Sequence, residues 1–173
     1  NPFFKFFKKK INNYSYGIKF NEIFKTNKKE LANIKYQINR LKNLGKLDFK
    51  TAITNEDCIK VINFIIFNKS KQYTRTNAWN LFKINIHRDL FESNNLNIKE
   101  NIDLSYLMLN NEIIAAQSGY KYNKRYYYLF PAYKYEYRKF SPGKILLQKM
   151  IDKRKSELFN FFDLTIGSED YKE

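Results

Sequence analysis

Leu31, Ile34, Ile38 and Leu41 recur at helical spacing and Gly45 stands where a helix would stop, so the pattern predicts a helix over residues 30–44. Leu47, Phe49 and Ala52 fit a short strand. Asn55 is the expected N-cap of a second helix of about five turns, with Ile59, Ile62, Ile66 and Tyr73 on its apolar face. Residues 78–94 read as a third helix holding Leu81, Phe82, Ile86 and Leu90. The rhythm changes after Asn101. Ile102, Leu104, Tyr106 and Met108 alternate with Asp103, Ser105 and two leucines, which is a mostly buried strand. Asn110-Asn111 and Asn123-Lys124 are turns, since Asn tolerates positive φ. They separate strands over 112–122 and 125–133. Pro131 cannot donate to a ladder, so the latter strand must bulge, splay or lie at an edge there. A helix from Pro142 to about Leu158 and a strand at 160–166 follow. Helices, an antiparallel meander, a helix and a further strand make an α+β, or mixed α/β, layer with helices packed on a sheet.

Composition narrows the function classes. The chain has 173 residues, 43% of them hydrophobic and 18% aromatic, which suits one folded domain rather than a disordered tail. One cysteine, Cys58, excludes a disulfide framework, and on an amphipathic helix it reads as a small buried residue. One histidine, His87, excludes a multi-histidine metal site, and no metal is expected. His87 reads as surface and Trp79 as packing. No apolar run is long enough to span a bilayer and no secretory signal is recognisable, so the expected compartment is the cytoplasm. The formal net charge is +15, but Lys exceeds Arg roughly four to one and Asn, Ile, Phe and Tyr are abundant, against average usage. A biased genome accounts for much of that excess. Nucleic-acid readers favour the planar fork of Arg, so the charge reads first as a solvated Lys-rich surface. Residues 1–30 are aromatic and basic without a clear period, with Phe3, Phe4, Phe6 and Phe7 available to pack on a neighbour. They are set apart from a domain over 31–173. The absence of an initial Met points to a processed or truncated start.

The most informative stretch is Tyr137-Arg138-Lys139-Phe140-Ser141-Pro142-Gly143-Lys144-Ile145-Leu146-Leu147. Ser141 is suited to capping a helix, and Pro142 sits at N1, where its missing N–H costs nothing. Gly143 leaves no Cβ over the first turn. The free N–H groups of that turn and the positive end of the helix dipole are then open to an anion, with Arg138 and Lys144 flanking the opening. An ordinary well-capped helix has the same local sequence.

These residues also carry a resemblance. Arg138-x-x-Ser141-x-Gly143 resembles the Q/R-x-x-G-x-G/A pyrophosphate loop of the GNAT acyltransferases, with Ser in place of the first Gly. Ser141 to Leu147, then Phe162-Asp163-Leu164, then Gly167-Ser168-Glu169-Asp170-Tyr171-Lys172 resemble the CelD/BcsL-like branch, which is itself similar to the FemX-like aminoacyl transferases. The hairpin from Leu107 to Ala116 resembles the same branch, and the likeness covers roughly residues 32–173. It implies a mostly antiparallel central sheet with helices on both faces and an acyl-CoA co-substrate, acetyl-CoA or another. It implies that strand 125–133 parts from strand 160–166 and that the cleft takes the pantetheine arm. The diphosphate would rest on N–H groups within 141–145, Pro142 excepted, up to that of Ile145. A backbone N–H between Phe130 and Ala132 would polarise the thioester carbonyl. The acceptor is an amine or hydroxyl attacking directly. Asp163 and Glu169 are the candidate bases, Tyr171 the candidate acid for the leaving thiolate, and Lys172 a candidate contact to an acidic acceptor. Relatives usually continue past the Tyr-Lys motif, often with a Trp, and can carry a similar half upstream, so the chain is expected to be a fragment. Two other readings remain at this point. One is a FemX-like transferase drawing on aminoacyl-tRNA, the case in which the positive charge serves RNA; the other is a GNAT-like fold that only binds. A nucleic-acid module finds no aromatic–basic platform motif in its support.

Overall fold

The computed structural model describes residues 15–20, 28–97 and 100–166. Seven strands, β1 (Ser15–Lys19), β2 (Leu47–Thr51), β3 (Ile102–Leu109), β4 (Glu112–Tyr122), β5 (Arg125–Tyr128), β6 (Ala132–Tyr133) and β7 (Phe161–Ile166), form one sheet. Its order is β1-β7-β5-β4-β3-β2, with β6 also on β4. All pairs are antiparallel except β5 and β7. Helices α1 (Lys28–Lys42) and α4 (Pro142–Ser156) cover one face, and α2 (Asn55–Arg75) and α3 (Asn85–Asn97) the other. This is the mixed α/β, mostly antiparallel layer that the sequence implied. No described helix is long and apolar enough to cross a membrane.

The two faces follow from the two-residue period of the strands. Leu107 and Leu109 point with Ile114, Tyr126 and Phe162 at Ile34, Leu41, Ile145 and Leu146 of α1 and α4. Leu104, Tyr106 and Met108 point the other way, onto Cys58, Val61, Ile62 and Ile65 of α2. Asn110, Asn123 and Lys124 take positive φ, as the turns require.

Four expectations are corrected. Thr54, not Asn55, caps α2, its side chain accepting from the Asp57 N–H at 3.1 Å. Ile59 is 48% exposed, and the buried stripe of α2 falls instead on Cys58, Val61, Ile62, Ile65 and Ile66. The single helix over 78–94 is broken: Asn80 caps a short 3-10 turn (Leu81–Lys83), Ile84 is extended, and α3 starts at Asn85. Phe82 and Phe91 are the buried apolar residues there, meeting edge-on at 5.2 Å, whereas Ile86 and Leu90 are exposed. The fourth concerns the segment before residue 31, expected to stand apart from the domain over 31–173. Its strand β1 completes the sheet against β7, with Tyr16, Ile18 and Phe20 on the α1/α4 core. Gly17 is required there, since a Cβ would stand 2.3 Å from the Phe161 ring.

A polar network lies under the C-terminal half of α4. Asp103 and Arg154, each about 2–3% exposed, form an ion pair joined by Lys153 at 3.6 Å; exchanging such a buried pair for apolar groups is often neutral, but breaking it is costly. Ser105 donates to the same carboxylate at 2.5 Å, and Gln117 donates to it at 3.3 Å and to the Tyr126 hydroxyl at 2.6 Å. Burial holds that hydroxyl well above the ordinary tyrosine pKa, so it stays neutral. Gly119 makes room for it, since a Cβ would meet the Tyr126 oxygen at 2.1 Å.

Candidate active site

The site is built where the sheet comes apart. Gly119 of β4 faces Tyr128 of β5, and Ala116 faces Ala132 of β6. Residues 129–131 therefore span the same stretch as 117–118, a one-residue bulge. Pro131 has no N–H to give, and the N–H groups of Leu129 and Phe130 both turn to the Ser118 carbonyl, at 3.2 and 3.1 Å. The parallel pairing of β5 with β7 ends at Tyr127 and Asp163. Beyond it β6 stays on β4 while β7 stays on β1. Lys134 donates to the Ile114 carbonyl at 2.9 Å. In that register the N–H and C=O of Tyr133 point away from β4.

A short 3-10 helix (Tyr135–Phe140) carries the chain from β6 to α4. Glu112 holds its beginning, accepting from the Lys134 ammonium and from the Tyr137 hydroxyl at 2.7 Å. Those bonds lower the carboxyl's pKa below the usual glutamate value, and raise those of Lys134 and Tyr137. At its end Ser141 takes φ 51 and ψ 48, and its hydroxyl makes no cap hydrogen bond. The expectation that Ser141 caps the helix with its side chain is thus overturned. A left-handed residue at this position is what a glycine provides without strain, which accounts for Gly in the loop pattern that the segment resembles.

A cavity of about 490 Å³ opens onto this turn. Arg138, Ser141, Pro142, Gly143 and Lys144 line it, as do Tyr128, Pro131 and Tyr133 at the splay. Three expected contacts do not line it. Ala132 and Ile145 are buried in the core, and the Phe130 ring packs on Phe91 at 4.9 Å. The Phe130 N–H is taken by Ser118, so it is not the expected oxyanion donor. The anion seat also narrows. The Ser141 N–H donates to Arg138 and the Ile145 N–H to Ser141, at 3.0 and 3.1 Å, which leaves the first-turn donors Gly143 and Lys144. A Cβ at Gly143 would meet only the Tyr133 ring, at 3.6 Å.

The charges differ from the expected pair. Lys144 is engaged by Glu30 at 2.8 Å, which ties α1 to the start of α4 and reduces what Lys144 can offer an anion. Arg138 lies over the Tyr135 ring at 4.3 Å. Lys69 and Gln72 of α2, bonded to each other at 3.1 Å, line the cavity as well. No motif announced them. Only the packing of α2 over β6 brings them there. Of the catalytic candidates, Asp163 is buried in β7, accepting from the Thr165 N–H at 2.8 Å and facing Arg125 at 3.7 Å. It does not line the cavity. Glu169, Tyr171 and Lys172 lie outside the described residues.

Residues 28–173 match the acetyltransferase (GNAT) domain family. The chain belongs to that family. Among curated proteins nothing matches. Among solved structures this GNAT domain is similar to FemX, at 9% identity and TM-score 0.65, over 92% of this chain and 55% of that one. It is similar to the C-terminal domain (DUF2156) of a protein described as a lysylphosphatidylglycerol synthetase from Agrobacterium fabrum, at 11% identity and TM-score 0.60, over 92% of this chain and 47% of the other. It is also similar to L-PGS from Bacillus licheniformis, at 11% identity and TM-score 0.56, over 91% and 46%. These likenesses concern the fold. The chain spans about half the length of these structures.

Proposed function

We propose that this GNAT domain is an acyl-CoA-dependent N- or O-acyltransferase, with acetyl-CoA the first donor to test. The observation that carries the reading is the cavity joining two features: the start of α4 at Gly143 and Lys144, and the splay at Tyr128, Pro131 and Tyr133, where β6 stays on β4 and the pairing of β5 with β7 has ended. The diphosphate would lie on those N–H groups and the α4 dipole, with Arg138 and Lys69 as charged partners. The pantetheine amides would pair with the N–H and C=O of Tyr133, the strand positions turned away from β4. The acceptor's lone pair bonds to the thioester carbon, the C–S bond breaks, and the acceptor's proton ends on the CoA thiol. Alignment of the two reactants supplies most of the acceleration.

The test is calorimetric titration of CoA and acetyl-CoA into the protein and into Arg138→Ala. Binding to the wild type, weakened about tenfold in the variant, supports the reading. Absence of heat with both donors removes it. A second reading, transfer from an aminoacyl-tRNA, draws on the likeness to FemX and on the cations around the cavity. It expects charged tRNA, and not CoA, to be bound.

A further inference from the structure

The sheet ends in β1 on one side and in β2 on the other, and among the described residues no strand pairs with the outer side of β2. Its ladder with β3 runs from Leu47–Leu109 to Thr51–Ser105 without a bulge. The Asn110 N–H donates to the Lys46 carbonyl at 2.7 Å and the Ala52 N–H to the Leu104 carbonyl at 2.8 Å. The even-numbered residues from Lys46 to Ala52 therefore spend their backbone groups on β3, and the N–H and C=O groups of Leu47, Phe49 and Thr51 face outward. Such an edge is a template for another strand. Its side chains differ by face. Leu47 and Phe49 pack on the α1/α4 core. Asp48 and Lys50 project from the opposite face. Asp48 is paired with Lys46 at 3.3 Å, and Lys50 is exposed with no ion pair among the described residues.

Symmetry and charge decide which strand fits. When β2 pairs antiparallel with its own copy, the outward groups let the two-fold axis pass near the strand's middle at Asp48, Phe49 or Lys50. The axis at Asp48 sets that carboxylate against itself, and the axis at Lys50 sets two ammonium groups face to face; like charges directly opposite are destabilising. The axis at Phe49 overlaps the whole strand. Leu47 then exchanges both backbone bonds with Thr51 of the second copy, and Phe49 with its own counterpart. Asp48 faces Lys50 of the second copy, twice over, in the non-hydrogen-bonded positions where side chains come closest. The same register carries Ile53, 84% exposed, to the turn of the second copy that holds Leu44, 54% exposed. The seam would cover both of these apolar side chains. We propose that two copies of this chain associate through β2, antiparallel about an axis at Phe49, into one continuous sheet. β3 and β4 separate this seam from the splay between β6 and β7, so the proposal is independent of the donor reading.

The test is sedimentation equilibrium of the protein at concentrations up to about 100 μM, where a dimer is expected. Asp48→Lys alone and Lys50→Asp alone each turn both unlike pairs into like ones, and self-association is expected to weaken about 30-fold or more. An equimolar mixture of the two variants restores the unlike pairs and is expected to form a heterodimer within about threefold of the wild-type affinity. The double variant Asp48→Lys/Lys50→Asp restores them in a single chain and is expected to dimerise as the wild type does. In the wild type, amide exchange at Leu47, Phe49 and Thr51 is expected to slow as concentration rises, while exchange along β1 does not change. The proposal is overturned if the wild type stays monomeric across that range or if either single reversal dimerises as tightly as the wild type. It is also overturned if mixing the two variants restores nothing, or if protection rises elsewhere and not at those amides. Should a variant fail to fold, the exchange measurement on the wild type decides alone.

Discussion

The two ends of α4 are opposite solutions to one problem. At its C-terminal half, Arg154 is driven into the sheet and its charge is paired: Asp103 and Glu157 hold the terminal guanidinium nitrogens, and Ser105, Lys153 and Gln117 share the Asp103 carboxylate, while Arg154 Nε and Gln117 Oε1 are left without a partner. At its N-terminus, the helix begins on a strained, uncapped Ser141 and presents the N–H groups of Gly143 and Lys144 to a cavity. A fold that pairs its buried charges at one end has the means to close a helix start at the other. A Ser, Thr or Asp in extended geometry before Pro142 would have capped the turn. The open end is therefore the candidate site, and the closed end is scaffold.

The largest effect expected is on the closed end. Asp103→Ala strands Arg154 without its buried partner, and a loss of about 3–5 kcal/mol in unfolding free energy is expected from denaturant titration. A loss under about 1 kcal/mol would mean that Glu157 alone satisfies Arg154 and that the two ends are less different than argued. Next comes Gly143→Leu, at the open end. The new side chain projects from a position where a Cβ meets only Tyr133, at 3.6 Å, so folding is expected to proceed with an unchanged thermal midpoint. It fills the anion seat, however, and CoA affinity is expected to fall by about 100-fold or more, the worth of one or two charge-assisted hydrogen bonds. Equal damage to stability and binding would assign Gly143 to packing.

The two ends also differ in how far the sequence discloses them. Ser141-Pro142-Gly143 announces a helix start with room for an anion, and its resemblance to a family loop adds the direction of the chemistry. The strand break at Pro131 is equally visible, because proline's missing N–H must interrupt a ladder somewhere. The Asp103–Arg154 pair is not visible, since the two lie 51 positions apart and only the crossing of α4 over β3 joins them. Lys69, Gln72 and Glu30 escape for the same reason. Each sits on a helix whose own pattern says only that the residue is polar. The single helix expected over 78–94 fails differently, because Asn80 bonds to the Phe82 N–H and offers the chain a local alternative that periodicity does not register.

A smaller effect concerns what holds the open end in place. Glu112→Gln removes the charge that fixes Lys134 and Tyr137 just before the 3-10 helix, and a loss in CoA affinity of a few-fold is expected. The effect is on positioning, so a pH signature separates it from a direct contact. The Glu112 carboxyl titrates lower in the folded chain than in the unfolded one. Its contribution to stability is therefore present above the ordinary glutamate pKa and is lost as pH falls through the depressed folded value. Thermal midpoints measured across that acidic window should drop more steeply for the wild type than for Glu112→Gln. Parallel curves would remove Glu112 from the account of the loop.

The smallest effect is the most discriminating about the open end. Ser141 pays twice for its place, with a left-handed backbone and a proline after it, each disfavoured for a residue that has a Cβ. Ser141→Gly relieves the first strain, and although glycine loses more entropy on folding, a net gain of about 0.5–1 kcal/mol is expected. Stability alone does not say why serine stands there. Ser141 lines the cavity and its hydroxyl makes no cap bond, which would leave it to meet a phosphate of the proposed donor. If it does, Ser141→Gly is more stable and binds CoA about threefold to tenfold more weakly, the worth of one hydrogen bond. If the glycine variant gains on both counts, the hydroxyl is incidental, and what the seat needs from position 141 is the left-handed turn that aims the Gly143 and Lys144 N–H groups into the cavity.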